Sequence, residues 1–134
     1  MSLNLRLLPE HLAVCRLSAD AAPPAWAATG IFRSLTWTHD ELSIVCDCEA
    51  VPEDVTAERD WRALKVEGPL DFGLTGVLMQ VAEPLALAEI SIFAVSTFDT
   101  DYVLVKEALL EAAVRVLTDA GHVVRWPAPV SQQD

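Results

Sequence analysis

The stretch WRALKVEGPLDFGLTGVLMQVAEPLALAEISIFAVSTFDTDYVLVKE, residues 61–107, decides the fold. Residues 61–67 read as a strand, in which Trp61, Ala63, Lys65 and Glu67 alternate against Arg62, Leu64 and Val66, so period alone leaves the buried face open. GPLDFGLTG (68–76) then places three glycines and a proline ahead of an apolar series, Leu74, Val77, Leu78, Val81, Leu85 and Ala88, whose offsets trace one stripe of a helix. Asp71 or Thr75 would cap its start, and Pro84, which lacks an amide hydrogen, predicts a bend or division near the third turn. Residues 90–96 and 102–105 have the composition of paired strands, joined by Thr97, Phe98, Asp99, Thr100 and Asp101.

Working outward, residues 106–120 are expected to be helical, with Leu109, Leu110, Ala113, Val116 and Leu117 inward. Gly121 stops that helix, and residues 122–126 make a last strand before Pro127. Strand, helix, strand, strand, helix, strand gives a four-stranded antiparallel sheet with both helices on one face. Its other face needs cover, from the first half of the chain or from a second copy.

The first half is β-rich and short in its elements. LNLRLLPEHLAVCRL (3–17) is predicted to be a hairpin of strands at 3–8 and 11–17, reversed at Pro9 and Glu10. A turn or short helix is expected over 22–29, where Pro23 and Pro24 suit a helix start and Gly30 its stop. Residues 32–37 and 41–46 form a second predicted hairpin, and acidic residues 49–60 a surface connection.

Nine Lys and Arg stand against twenty Asp and Glu in 134 residues, a net charge of −11. Four basic residues meet ten acidic ones in 1–60 and five meet ten in 61–134, so phosphate backbones and anionic membranes are repelled by both halves. No run of eighteen apolar residues occurs, and the N-terminus lacks a basic region followed by an apolar core. The expectation is a soluble cytoplasmic chain with no nucleic-acid or membrane partner.

Catalytic machinery is hard to assemble here. His11, His39 and His122 fall in three separate elements, outside any zinc-binding spacing. Cys15, Cys46 and Cys48 are odd in number, and the spacing of Cys46 and Cys48 puts both on one strand face, where packing is the expected role. GPLDFGLTG has neither the lysine of a P-loop nor the GxGxxG spacing. No metal, cofactor or catalytic residue is therefore expected, and the chain is expected not to be an enzyme. Asp99 and Asp101, two apart in STFDTD, are left as carboxylates that serve either the turn or a ligand. In the deduced topology the glycine-rich loop and 97–101 meet at one end of the sheet. Exposed amides beside a carboxylate suit a zwitterion.

EGPLDF, LTG, ISIFAVST and DTDYVLVK, in that order, resemble the ACT-type domain of small bacterial amino-acid-binding proteins and the related eukaryotic cytosolic arginine sensors. LRLLPEHLAVCRL and FRSLTWTHDELSIVC resemble, more weakly, the divergent first unit of those proteins. The resemblance implies an α+β chain: a ferredoxin-like ACT domain (βαββαβ) over 61–134 behind a divergent, β-rich ACT-like unit over 1–60. It implies a regulatory or sensory module that binds an amino acid or similar small zwitterion, without catalysis, as a homodimer. Its ligand residues carry over to Gly68, Pro69, Leu70, Asp71 and Phe72 with Thr97, Phe98 and Asp101, the last matched to the position associated with a cationic ligand in the arginine sensors. The alternative is an ACT-like fold without a ligand, kept for dimerisation or protein interaction.

Overall fold

The computed structural model describes residues 2–68 and 76–127. Its elements run β1 Asn4–Leu7, β2 Leu12–Leu17, β3 Ser34–Trp37, β4 Leu42–Asp47, β5 Ala57–Val66, α1 Val77–Leu87, β6 Phe93–Ser96, β7 Asp101–Lys106, α2 Leu110–Asp119 and β8 Val123–Arg125. Short 3-10 turns cover Ala25–Ala28, Cys48–Ala50 and Glu107–Leu109.

All eight strands belong to one sheet, organised by β5. β7 lies along one side of β5, from Trp61 opposite Lys106 to Lys65 opposite Tyr102, and β6 pairs outside β7. On the other side β1 pairs with residues 64–66 of β5 and β2 with residues 57–61, both antiparallel to it. β1 and β2 therefore run in the same direction, as two pieces of one interrupted strand. The hairpin expected at Pro9 and Glu10 does not form. Residues 8–11 bulge outward, the Leu8 amide keeps the ladder by donating to Ala63 O at 2.9 Å, and the Arg62 guanidinium props the bulge by donating to Leu8 O at 3.0 Å. A long partner strand offers both segments a ladder, which a four-residue reversal would have taken from β5.

β5 bends where the two halves of that interrupted strand meet. Leu12 faces Trp61 and Val14 faces Glu58, so Arg59 and Asp60 together oppose Ala13, with Asp60 at φ 65° in the left-handed region. This bulge turns the first half of β5 into a sheet with β2, β4 and β3, and the second half into a sheet with β7, β6, β1 and β8. Lys106 holds the corner, its Nζ 2.8 Å from Arg59 O, 3.2 Å from Glu58 Oε1 and 5.0 Å from the centre of the Trp61 ring.

Alternation then sorts the side chains. Leu5, Leu7, Leu64, Val66, Val103 and Val105 face α1 and α2, which bury Val77, Val81, Leu85, Leu110, Ala113 and Leu117. Each such leucine or valine is worth about 1.5–3 kcal/mol of burial. On the other face Ala63 and Leu104 pack against Leu12, Val14, Val45 and Phe32, so the first half of the chain supplies the cover the open sheet face required. The far face of the β2–β4 layer buries Ala13, Cys15, Ile44 and Cys46 under Ala27 and Val51.

Several local expectations are corrected. β8 pairs in parallel with β1, which stands between it and β5, so a strand from the first half enters the second half's sheet. β5 begins at Ala57, inside the expected surface connection. Cys48 lies beyond the end of β4 in a 3-10 turn, so it shares no strand face with Cys46. Leu109, expected inward, is partly exposed because residues 107–109 form a 3-10 turn ahead of α2, which shifts its angular position. Pro84 sits inside an undivided α1. The caps expected from Asp71 or Thr75, and Leu74 of the stripe, lie outside the described residues.

Candidate functional site

β5 ends and β7 begins at the same end of the sheet. Thr100, 3% exposed, donates its hydroxyl hydrogen to Val66 O across 2.6 Å, tying the 97–101 turn to the last residue of β5. Gly68, two residues further, is exposed at that end. Pro69, Leu70, Asp71 and Phe72 lie outside the described residues. Glu67 continues the ladder, its amide donating to Asn4 O at 2.8 Å and its carboxylate pairing with Arg6 at 3.1 Å.

The turn itself is locked by its threonines. The Thr97 amide donates to Thr100 O at 2.8 Å, and the Thr97 hydroxyl donates to the same carbonyl at 3.1 Å. Phe98 and Asp99 form the tip, with Phe98 80% exposed. Asp101 opens β7 opposite Ser96, and its Oδ1 accepts the Ser96 hydroxyl at 2.7 Å. Of the sequence-derived site residues, Gly68, Thr97, Phe98 and Asp101 thus stand at one sheet end. Asp101 keeps acceptor capacity on a carboxylate that one hydroxyl engages. Thr100 was missed as a positioning residue, because a threonine between two aspartates gives no local sign of pointing inward.

α1 starts behind this end, with Gly76 at φ 78° as its N-cap residue before Val77 and, among the described residues, no side chain capping its first amides. Amide hydrogens at a helix start favour negative charge. The helix layer is fixed at this same end by His122, 4% exposed: the Leu3 amide donates to its Nδ1 at 3.1 Å, so the ring hydrogen is on Nε2, 3.0 Å from the carbonyl of Gln80 in the first turn of α1. Among the described residues, no group of three or more His, Cys, Asp or Glu is arranged to hold a metal ion, and no helix is long and apolar enough to cross a membrane.

The thiols belong to the packed layer away from this end. Cys15 and Cys46 are buried on one face of β2 and β4, and the hydrogen bond from Cys46 lowers the Cys15 thiol below its ordinary range while pushing Cys46 well above it.

Comparison with known proteins places this arrangement. Residues 56–119 match the ACT domain, and residues 10–54 match a second family's N-terminal domain. The chain is 37% identical over 108 residues to the cytosolic arginine sensor for mTORC1 subunit 1 of Homo sapiens, covering 75% of this chain and 32% of that protein. The Bos taurus sensor is 33% identical over 111 residues, 72% of this chain and 34% of that one. The chain thus spans about a third of the length of the curated relatives it matches. The crystal structure of protein Atu0741 from Agrobacterium tumefaciens superposes with a TM-score of 0.92 at 40% identity, over 99% of both chains. The regulatory subunit of aspartate kinase from Thermus flavus shares the fold at 13% identity, with a TM-score of 0.61 over 90% of this chain and 99% of that one. The chain belongs to the ACT-domain family.

Proposed function

We propose that this chain binds a free amino acid, or a similar small zwitterion, at the sheet end where β5 stops and β7 starts, and that it works as a regulatory or sensory module without catalysis. The observation that carries the reading is the Thr100–Val66 hydrogen bond, which draws the 97–101 turn to the strand that leads into Gly68. In this reading backbone amides of Gly68, Leu70, Asp71 and Phe72 and of the α1 start receive the ligand carboxylate, with Pro69, which has no amide hydrogen, shaping the loop. Thr97 and Phe98 flank it, and Asp101 receives the ammonium or a cationic side chain. Relatives named as arginine sensors support an amino acid as the ligand class, and make arginine the first compound to try. A homodimer, with the ligand between copies, completes the proposal.

Calorimetry with a panel of cationic, neutral and acidic amino acids tests it. The expected result is saturable heat for at least one, with Asp101→Ala shifting preference away from cationic ligands. Absence of heat across the panel, with no thermal shift, overturns the reading. The second reading is a ligand-free interaction domain. It is favoured by Met79 and Leu87, 60% and 80% exposed on α1, and by Val123, 46% exposed on the edge strand β8. A stable dimer by sedimentation with no amino-acid heat would select it.

A further inference from the structure

The opposite face of the same sheet carries a second concavity. Its volume is about 610 Å³, within the range of about 300–1,000 Å³ typical of small-molecule sites. Lys65 lies in its floor between Arg6 of β1 and Tyr102 of β7, its register partners on either side. Arg6 is already paired with Glu67, whereas the Lys65 ammonium has no ion-pair or hydrogen-bond partner among the described residues. Glu10, from the bulge between β1 and β2, lines the same cavity and is equally unpartnered there. Two half-buried opposite charges in one cavity, not paired with each other, leave one place for an anion and another for a cation.

The rest of the wall is apolar and aromatic. Phe32 stands edge-on to Tyr102, with ring centres 4.9 Å apart and planes at 70°. Trp126, 52% exposed, adds a large apolar surface to the lining. From this pattern we infer that the cavity is a second ligand site, for a zwitterion with an aromatic body: its carboxylate meets Lys65, its ammonium meets Glu10, and its ring packs against Phe32 and Trp126. The site depends on neither the loop residues nor the ligand of the sheet-end proposal, since Lys65 and Val66 point to opposite faces of β5.

Three probes separate the parts of the claim: L-phenylalanine, 3-phenylpropionate, which lacks the ammonium, and phenethylamine, which lacks the carboxylate. Amide and indole NMR shifts on the full chain locate the binding. Phenylalanine is expected to move Phe32, Lys65 and the Trp126 indole, at least tenfold more tightly than either truncated probe. Lys65→Met is expected to weaken phenylalanine at least tenfold while leaving phenethylamine unchanged. Glu10→Gln is expected to weaken phenylalanine and leave 3-phenylpropionate unchanged. Asp101→Ala is expected to leave these shifts intact, which separates this site from the sheet-end one. Equal binding of phenylalanine and 3-phenylpropionate, shifts confined to the sheet end, or no shift because a second copy or the chain's own C-terminus fills the cavity would each overturn the inference. Thermal melting of both variants checks their fold, and because Lys65 and Glu10 act on different probes, loss of one variant still leaves the other to decide.

Discussion

The Nε2 of His122 lies 3.0 Å from the carbonyl of Gln80, which is the carbonyl that Pro84, four residues on, leaves without its intrahelical donor. A proline inside a helix frees that acceptor. Here a buried histidine from the start of β8 takes it, and α1 continues to Leu87 undivided.

Replacing His122 with Phe should therefore cost about 1–3 kcal/mol, since Gln80 O and the Leu3 amide both lose a partner. In a Pro84→Ala background the cost should be smaller, because residue 84 then supplies its own amide to Gln80. A double-mutant cycle by urea unfolding measures the coupling, and strict additivity would show that the two residues do not share the acceptor.

Thr100→Val keeps the shape and removes the hydroxyl that bonds Val66 O. The expected loss is about 1 kcal/mol of stability, read from the urea midpoint. Under the proposed function, amino-acid affinity should fall as well, because the turn is no longer held to the end of β5. Calorimetry of the same variant reads that second effect, and unchanged affinity would separate the hydrogen bond from ligand binding.

Arg62 is nearly buried, holds Leu8 O at 3.0 Å and pairs with Glu107 at 3.3 Å, a carboxylate that His11 also approaches. Arg62→Met should destabilise the chain by about 1–2 kcal/mol, since hydrogen bonds to a charged donor are lost while Glu107 stays solvated. Hydrogen exchange should show the loss at Leu8, Glu10 and His11, with the helix layer protected as before.

Thiol chemistry gives a fourth test. Cys48 is partly accessible, whereas Cys15 and Cys46 are buried, so an aromatic disulfide reagent should modify one thiol quickly in the native protein and all three after unfolding. The hydrogen bond from Cys46 favours the Cys15 thiolate. The first buried thiolate should therefore form at lower pH in the wild type than in Cys46→Ala, as read from absorbance near the thiolate band with Cys48 blocked. The reverse order would place the shared hydrogen elsewhere.

Local pattern was enough for much of this protein. The 3.6-residue stripes at Val77, Val81 and Leu85 and at Leu110, Ala113 and Leu117 mark both helices, and the strand–helix–strand–strand–helix–strand order, with the EGPLDF and DTDYVLVK segments, carries the ACT-type fold. That order also brings Gly68 and the 97–101 turn toward one sheet end, because a crossover helix returns the chain to its sheet in one sense. Tertiary structure decided what depends on partners far away in sequence. Pro9 and Glu10 read as a reversal because turn residues look alike whether a chain folds back or merely bulges, and only the length of β5 makes β1 and β2 continue in one direction. Pro84 reads as a helix break because its local cost is plain, while the histidine that offsets it lies 38 residues on. Lys65, Glu10 and Phe32 form one cavity wall only after the sheet bends at Asp60, so side chains from three separate segments meet by folding rather than by spacing.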